Sequence, residues 1–172
     1  MPEHCDLYDA ERRPLGIVIE RGAALEPGQY LLATGVWVFS TKNEILLTRR
    51  SLQKKFMPGR WENTGGHVQS GEDTRAAAVR ELEEEVGIVC TAAELQLVGT
   101  TVRQNYIGDD FALRLTRDIP AEAIRLQPGE TDAARWVTEE EFDRMIASGE
   151  IAPSTAANLA PMRERFNEIL RQ

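Results

Sequence analysis

Cysteine is nearly missing from this sequence, with two among 172 residues, Cys5 and Cys90. They form neither a metal-ligand spacing nor a disulfide framework, and Cys90 reads as a small buried residue rather than a nucleophile. Cations are also in short supply: 20 Lys and Arg stand against 28 Asp and Glu, a formal charge of −8. Non-specific nucleic-acid binding depends on clustered Lys and Arg, so nucleic acid is not the expected partner. A phosphate substrate bridged by metal ions stays open. Long apolar runs are missing too. The longest uncharged stretch, Pro27 to Thr41, is too short and too polar to span a bilayer. Met1 to Arg13 carries charges and no apolar core, unlike a signal or transit peptide, so a cytoplasmic protein with no membrane partner is expected. No repeat or linker divides the chain, and its length suits one domain over residues 1–172 with a sizeable core.

What is present begins with strands. Leu15 to Glu20 reads as a first strand, and Arg21 to Gly28 as a loop punctuated by Gly and Pro. Tyr30 to Ser40 is rich in β-branched and aromatic residues, and the turn Thr41-Lys42-Asn43 leads into Glu44 to Arg49 as a hairpin. Leu95 to Arg103, Phe111 to Thr116 and Ala133 to Val137 read as further strands. Thr138 and Glu141 have the spacing of a capping box before a helix that buries Phe142, Met145 and Ile146. Ser154 can cap a last helical region, which Pro161 must kink or restart. Strands in groups that do not alternate one for one with helices predict an α+β arrangement, a mixed sheet covered by helices on both faces.

The chemistry gathers in residues 66 to 88. Glu81, Glu84 and Glu85, spaced i, i+3, i+4, share one face of a predicted helix, while Val79, Leu82 and Val86 form an apolar stripe opposite, leaving the acids facing outward. Asp73 or Thr74 can cap its start, and Gly87 suits the position just past its end. Acids held so close raise each other's pKa unless a cation sits among them. Mg²⁺ prefers such oxygens. A charge run is more often a solvated face, but this one follows Gly66, Glu72 and Arg80 at fixed spacing and ends in Val86-Gly87-Ile88. Chance agreement at all those positions is on the order of one in a million chains.

Residues 66 to 88 resemble the Nudix hydrolase signature at every defined position. The resemblance implies an α/β/α sandwich and a Mg²⁺- or Mn²⁺-dependent pyrophosphohydrolase. Its expected substrate is a small molecule, a nucleoside diphosphate linked to another moiety. Glu81, Glu84 and Glu85 are the expected ligands, with Gly65 or Gly66 offering a backbone carbonyl to the ion. Arg80 can orient Glu84 one turn away. In the family this Arg and the loop Glu, here Glu72, are thought to hold loop and helix together. The proton acceptor is left between Glu81 and Glu130, whose place after Pro128-Gly129 and before Trp136 resembles a downstream catalytic Glu of some members; a solvated turn residue is the equal alternative. Arg49, Arg50, Lys54, Lys55 and Arg60 crowd the segment before the signature, and some of them are expected to grip phosphates. His67 reads as a loop residue bonded to backbone, with a metal ligand as its alternative. The oligomeric state, a homodimer included, is left open.

Two finer resemblances compete. Trp37-Val38-Phe39, Arg50-Ser51, Lys55 to Trp61 and Gly66-His67 are similar to the branch with isopentenyl diphosphate isomerases. That activity needs a Cys two residues before the His, where this chain has Gly65. Leu46-Leu47-Thr48, Arg50-Ser51, Lys55, Gly59 and Gly65-Gly66 resemble the coenzyme A diphosphatase signature, with Lys55 in place of an Arg and Asn63-Thr64 in place of Phe-Pro. A nucleotide-binding regulator without turnover is the remaining alternative.

Overall fold

The computed structural model describes residues 3–172. The chain starts with a separate antiparallel hairpin, β1 (His4–Tyr8) and β2 (Pro14–Glu20). The main sheet has seven strands: β3 (Leu31–Phe39), β4 (Ile45–Arg50), β5 (Trp61–Glu62), β6 (Thr64–His67), β7 (Gln96–Val102), β8 (Tyr106–Arg114) and β9 (Thr131–Val137). It is mixed. β3 runs parallel to β8 and antiparallel to β4 and β6, while β4 also pairs with β5 and β9.

Helix α1 (Thr74–Val86) covers one face, and α2 (Glu139–Ala147), α3 (Pro153–Leu159) and α4 (Arg163–Leu170) cover the other. Alternation along the strands sorts the core. Val36, Val38, Leu46, Phe111 and Leu113 meet Ala78, Leu82 and Val86 of α1, whereas Trp37, Phe39, Ile45, Leu47 and Ala112 meet the other three helices. A central strand apolar on both faces reads as a continuous run, and β3 does. Trp37 and Phe39 stand edge-on to Phe166 at centroid distances of 5.0 and 5.2 Å, and Trp37 to Phe142 at 5.6 Å. The expected sandwich is present. Among the described residues no helix is long and apolar enough to cross a membrane.

Several local expectations change. The segment read as lacking an apolar core contains β1, whose Cys5 and Leu7 are buried against Leu31; Met1 and Pro2 lie outside the described residues. Cys5 is therefore the buried thiol, and Cys90 is only half-buried. β8 starts at Tyr106, five residues before the expected Phe111, because its whole length pairs with β3 from Leu31↔Tyr106 to Phe39↔Arg114. Pro153 takes the first turn of α3, and Ala152 at the cap position makes no side-chain cap, so Ser154 does not cap it. Pro161 lies in a 3₁₀ turn, Ala160–Met162, that separates α3 from α4.

Candidate active site

Local signals set both ends of α1. Asp73 accepts from the Ala76 backbone N–H at 2.7 Å, and Gly87 adopts a left-handed φ of 68° with its N–H bonded to the Glu83 carbonyl. The expected outward acid face is corrected here. Glu84 is exposed, but Glu81 is buried and Glu85 half-buried, because both turn toward β6 at the edge of the sheet.

Gly66 makes the approach of Glu81 possible, and Gly65 lets β6 lie close against β3. A Cβ on Gly66 would lie 2.2 Å from Glu81 Oε1, and one on Gly65 would lie 2.3 Å from the Thr34 carbonyl. The Gly65 N–H donates to Glu85 Oε2 at 3.3 Å. Arg80 organises the rest. Its Nε and Nη2 donate to the two Glu72 oxygens at 2.9 and 3.0 Å, and Nη2 also reaches the His67 carbonyl at 3.2 Å. Its Nη1 donates to Glu81 at 2.9 Å and to Glu84 at 3.2 Å. One guanidinium thus ties the loop before α1 to two of the helix acids.

A cavity of about 110 Å³ opens beside this network, lined by Glu81, Glu84, Glu85 and Glu130 together with Arg50 and Lys54. Burial, reinforced by Glu81, Glu62 and Glu130, pushes the Glu85 carboxyl up to about 8. Burial also raises Glu81, although Arg80 pulls against it. Among the described residues no three acidic, His or Cys side chains are disposed as a complete metal-binding set. Glu81 and Glu84 are engaged by Arg80, and Glu85 by Gly65. The donors nevertheless suit a hard divalent cation, being carboxylate oxygens around a small cavity whose crowded negative charge a cation would relieve.

A second cavity, of about 330 Å³, adjoins the first and shares Arg21, Arg50, Gly65 and Gly66 with it. It extends past Glu62, Asn63, His67 and Asp110 to Ser154 and Asn158 of α3. The expected phosphate-gripping cations separate at this point. Arg50 lies between the cavities, paired with Glu62 at 2.7 Å, and Lys54 pairs with Glu130. Arg49 pairs with Asp132 at 2.6 Å, Arg60 donates to the Gly149 carbonyl, and Lys55 is exposed; none of the three is among the residues lining either cavity. His67 belongs to strand β6, opposite Ala33, and not to a loop; burial and then Arg21 lower its pKa.

The sequence reading missed Arg21, Glu62, Asn63 and Asp110. Arg21 follows directly on β2, pairs with Glu3 at 2.6 Å and lines both cavities. Its only signal was a cation in a Gly- and Pro-rich loop. Asn63 and Asp110 carried none, because strand pairing alone brings them together.

The sequence matches the model of the NUDIX domain over residues 29–157. The chain belongs to the Nudix family. An uncharacterised Nudix hydrolase of Listeria monocytogenes is 33% identical over 155 residues, covering 88% of this chain and 89% of the relative. An isopentenyl-diphosphate Delta-isomerase of Citrobacter koseri is 40% identical over 179 residues, covering 99% and 96%. Among solved structures, DR0079 from Deinococcus radiodurans superposes with a TM-score of 0.71 over 87% of this chain and 92% of its own, at 21% identity. That likeness concerns the fold alone. The Nudix chain is thus a hydrolase of acid anhydrides in phosphorus-containing compounds, with neighbours on the isomerase branch.

Proposed function

We propose that this Nudix protein uses Mg²⁺ or Mn²⁺ to hydrolyse the phosphoanhydride of a nucleoside diphosphate linked to another moiety. The observation that carries this is the small cavity where Glu81, Glu84 and Glu85 of α1 meet Glu130 from a separate segment, beside a larger cavity. Attack on a diphosphate is slow because its oxygens repel the incoming water. A divalent cation held by Glu81, Glu84 and Glu85, with the backbone at Gly65 or Gly66, would neutralise those oxygens and make water more acidic.

The chain's own residues do the remaining work. Arg80, locked by Glu72, keeps Glu81 and Glu84 on the cavity side of α1. Arg50, between the two cavities, is suited to hold the phosphate that is not attacked. Glu81 and Glu130 stand on the cavity wall as candidates to take the proton from water. The reading also implies a dissolved small molecule in the cytoplasm as the partner. It disfavours isomerase chemistry, since neither Cys5 nor Cys90 lines the cavities.

The test is phosphate release from a panel of nucleotide sugars and dinucleotides with Mg²⁺, with products identified by mass. Glu84→Gln, assayed in parallel, is expected to lose about a hundredfold or more of the rate. Product formation in the wild type that survives Glu84→Gln would point to a contaminant. Binding without product would favour a regulator. Unchanged turnover and metal affinity in Glu130→Gln would remove that residue from the site.

A further inference from the structure

Asp110 is 7% exposed, yet among the described residues its side chain is served only by Asn63 Nδ2, at a long 3.4 Å, and by the buried Trp37 indole N–H. Burial raises its pKa, and the Trp37 N–H is near enough to pull against that rise but makes no well-formed hydrogen bond. Its neighbour Asp109 is very differently served, accepting from Arg12, Thr74 and Thr100. Alternation along β8 explains the contrast. Asp109 turns to the face of α1 and meets Thr74, while Asp110 turns with Ala112 to the opposite face, where α3 packs.

The register places Asp110, Gly35 and Gly65 in one row across β8, β3 and β6. A Cβ on Gly35 would lie 2.4 Å from Asp110 Oδ1 and 2.7 Å from Asn63 Nδ2, so the missing side chain is what lets these two groups meet. They do so on the wall of the 330 Å³ cavity, whose far side carries Ser154 and Asn158. At the other end of the row, the Gly65 N–H bonds Glu85 in the acid cavity.

A diphosphate seated over the acids would therefore send its organic arm onto Asp110 and Asn63. A buried carboxylate short of donors is costly, and a hydrocarbon arm would strip its water without replacing it. Resting on the hydrolase reading above for where the diphosphate sits, we propose that Asp110 and Asn63 are a specificity subsite for an organic arm rich in hydroxyl or amino donors. A sugar or a nucleobase meets that description, and an isoprenoid does not. The cavity has room for about one such ring.

Calorimetric titration with Mg²⁺ tests this using four probes: methylene-bridged, non-hydrolysable UDP-glucose and ADP-glucose as polar arms, isopentenyl diphosphate as an apolar arm, and methylenediphosphonate with no arm. At least one sugar-bearing analogue should bind about tenfold or more tightly than methylenediphosphonate, and isopentenyl diphosphate should show no such gain. Asp110→Leu should weaken the sugar-bearing analogue by about ten- to a hundredfold while leaving methylenediphosphonate unchanged. Asp110→Asn, which keeps the shape and one acceptor, should retain part of the affinity and guards against misfolding of the leucine variant. Tighter binding of isopentenyl diphosphate, no gain from any polar arm, or an equal loss for all probes in Asp110→Leu would overturn the proposal. Arm-dependent binding without hydrolysis of natural UDP-glucose or ADP-glucose would instead leave the subsite standing and defeat the hydrolase reading.

Discussion

At the scale of single residues, two adjacent glycines have different duties. The atom that a Cβ on Gly66 would strike is the end of the flexible Glu81 side chain, so the fold can yield by moving that carboxylate. On Gly65 the obstacle is the Thr34 backbone carbonyl of β3, and the sheet itself must shift. Gly66→Ala should therefore cut metal-dependent activity by about tenfold or more with little change in melting temperature, because one carboxylate loses its place. Gly65→Ala should lower the melting temperature markedly. Thermal melts and initial rates measured on both variants decide the matter. An activity loss in Gly66→Ala matched by an equal loss of stability would show that Glu81's position is not what Gly66 protects.

At the scale of elements, α1 is the part of the site that the sequence made most legible. Its cap Asp73, its stripe of Leu82 and Val86 and its stop Gly87 lie within a few turns of one another, so local rules suffice. Asp73→Ala should cost about 1 kcal/mol in chemical denaturation through loss of the bond to the Ala76 N–H; no change would mean that Thr74 or water serves as well. β1 was illegible for the opposite reason. Cys5 and Leu7 count as apolar pattern only once Leu31 lies beneath them. The same holds for Asp110 and Asn63, which meet only through the pairing of β3 with β6 and β8.

Asp109 joins three elements, since Thr74 Oγ1 donates to it at 2.6 Å from α1, Thr100 Oγ1 at 2.7 Å from β7, and Arg12 from the β1–β2 turn. Burial alone would raise its pKa, but those hydrogen bonds win and hold it below the usual aspartate value. A carboxylate depressed in the folded state stabilises above its unfolded pKa, and that contribution disappears as pH falls through the folded value. The stability difference between wild type and Arg12→Leu should be fully present at pH 7 and shrink below about pH 4. Denaturation curves across that range check the sign, and a difference independent of pH would assign Arg12 a packing role only.

At the scale of the whole molecule, an acidic chain draws opposite chemistries from the two faces of one sheet. α1 on one face brings its acids to the β6 edge, α3 on the other closes a polar cavity, and Arg50 lies where the two spaces join. The composition argued against non-specific nucleic-acid binding, and the signature located the acids. Neither could reveal Arg21, which a separate hairpin delivers. That hairpin is fastened to the loop before α1, where Ser70 and Gly71 donate to Asp6 at 2.7 and 3.0 Å.

The claim on which all of this depends is that the acid cavity holds a divalent cation. Titration of Mn²⁺ followed by electron paramagnetic resonance tests it most directly, comparing wild type with Glu85→Gln and with Glu83→Gln, an exposed glutamate on the same helix. We expect saturable binding in the wild type and in Glu83→Gln, with affinity lowered by about tenfold or more in Glu85→Gln. Equal affinity in all three proteins, or no saturable site in the wild type, would contradict it.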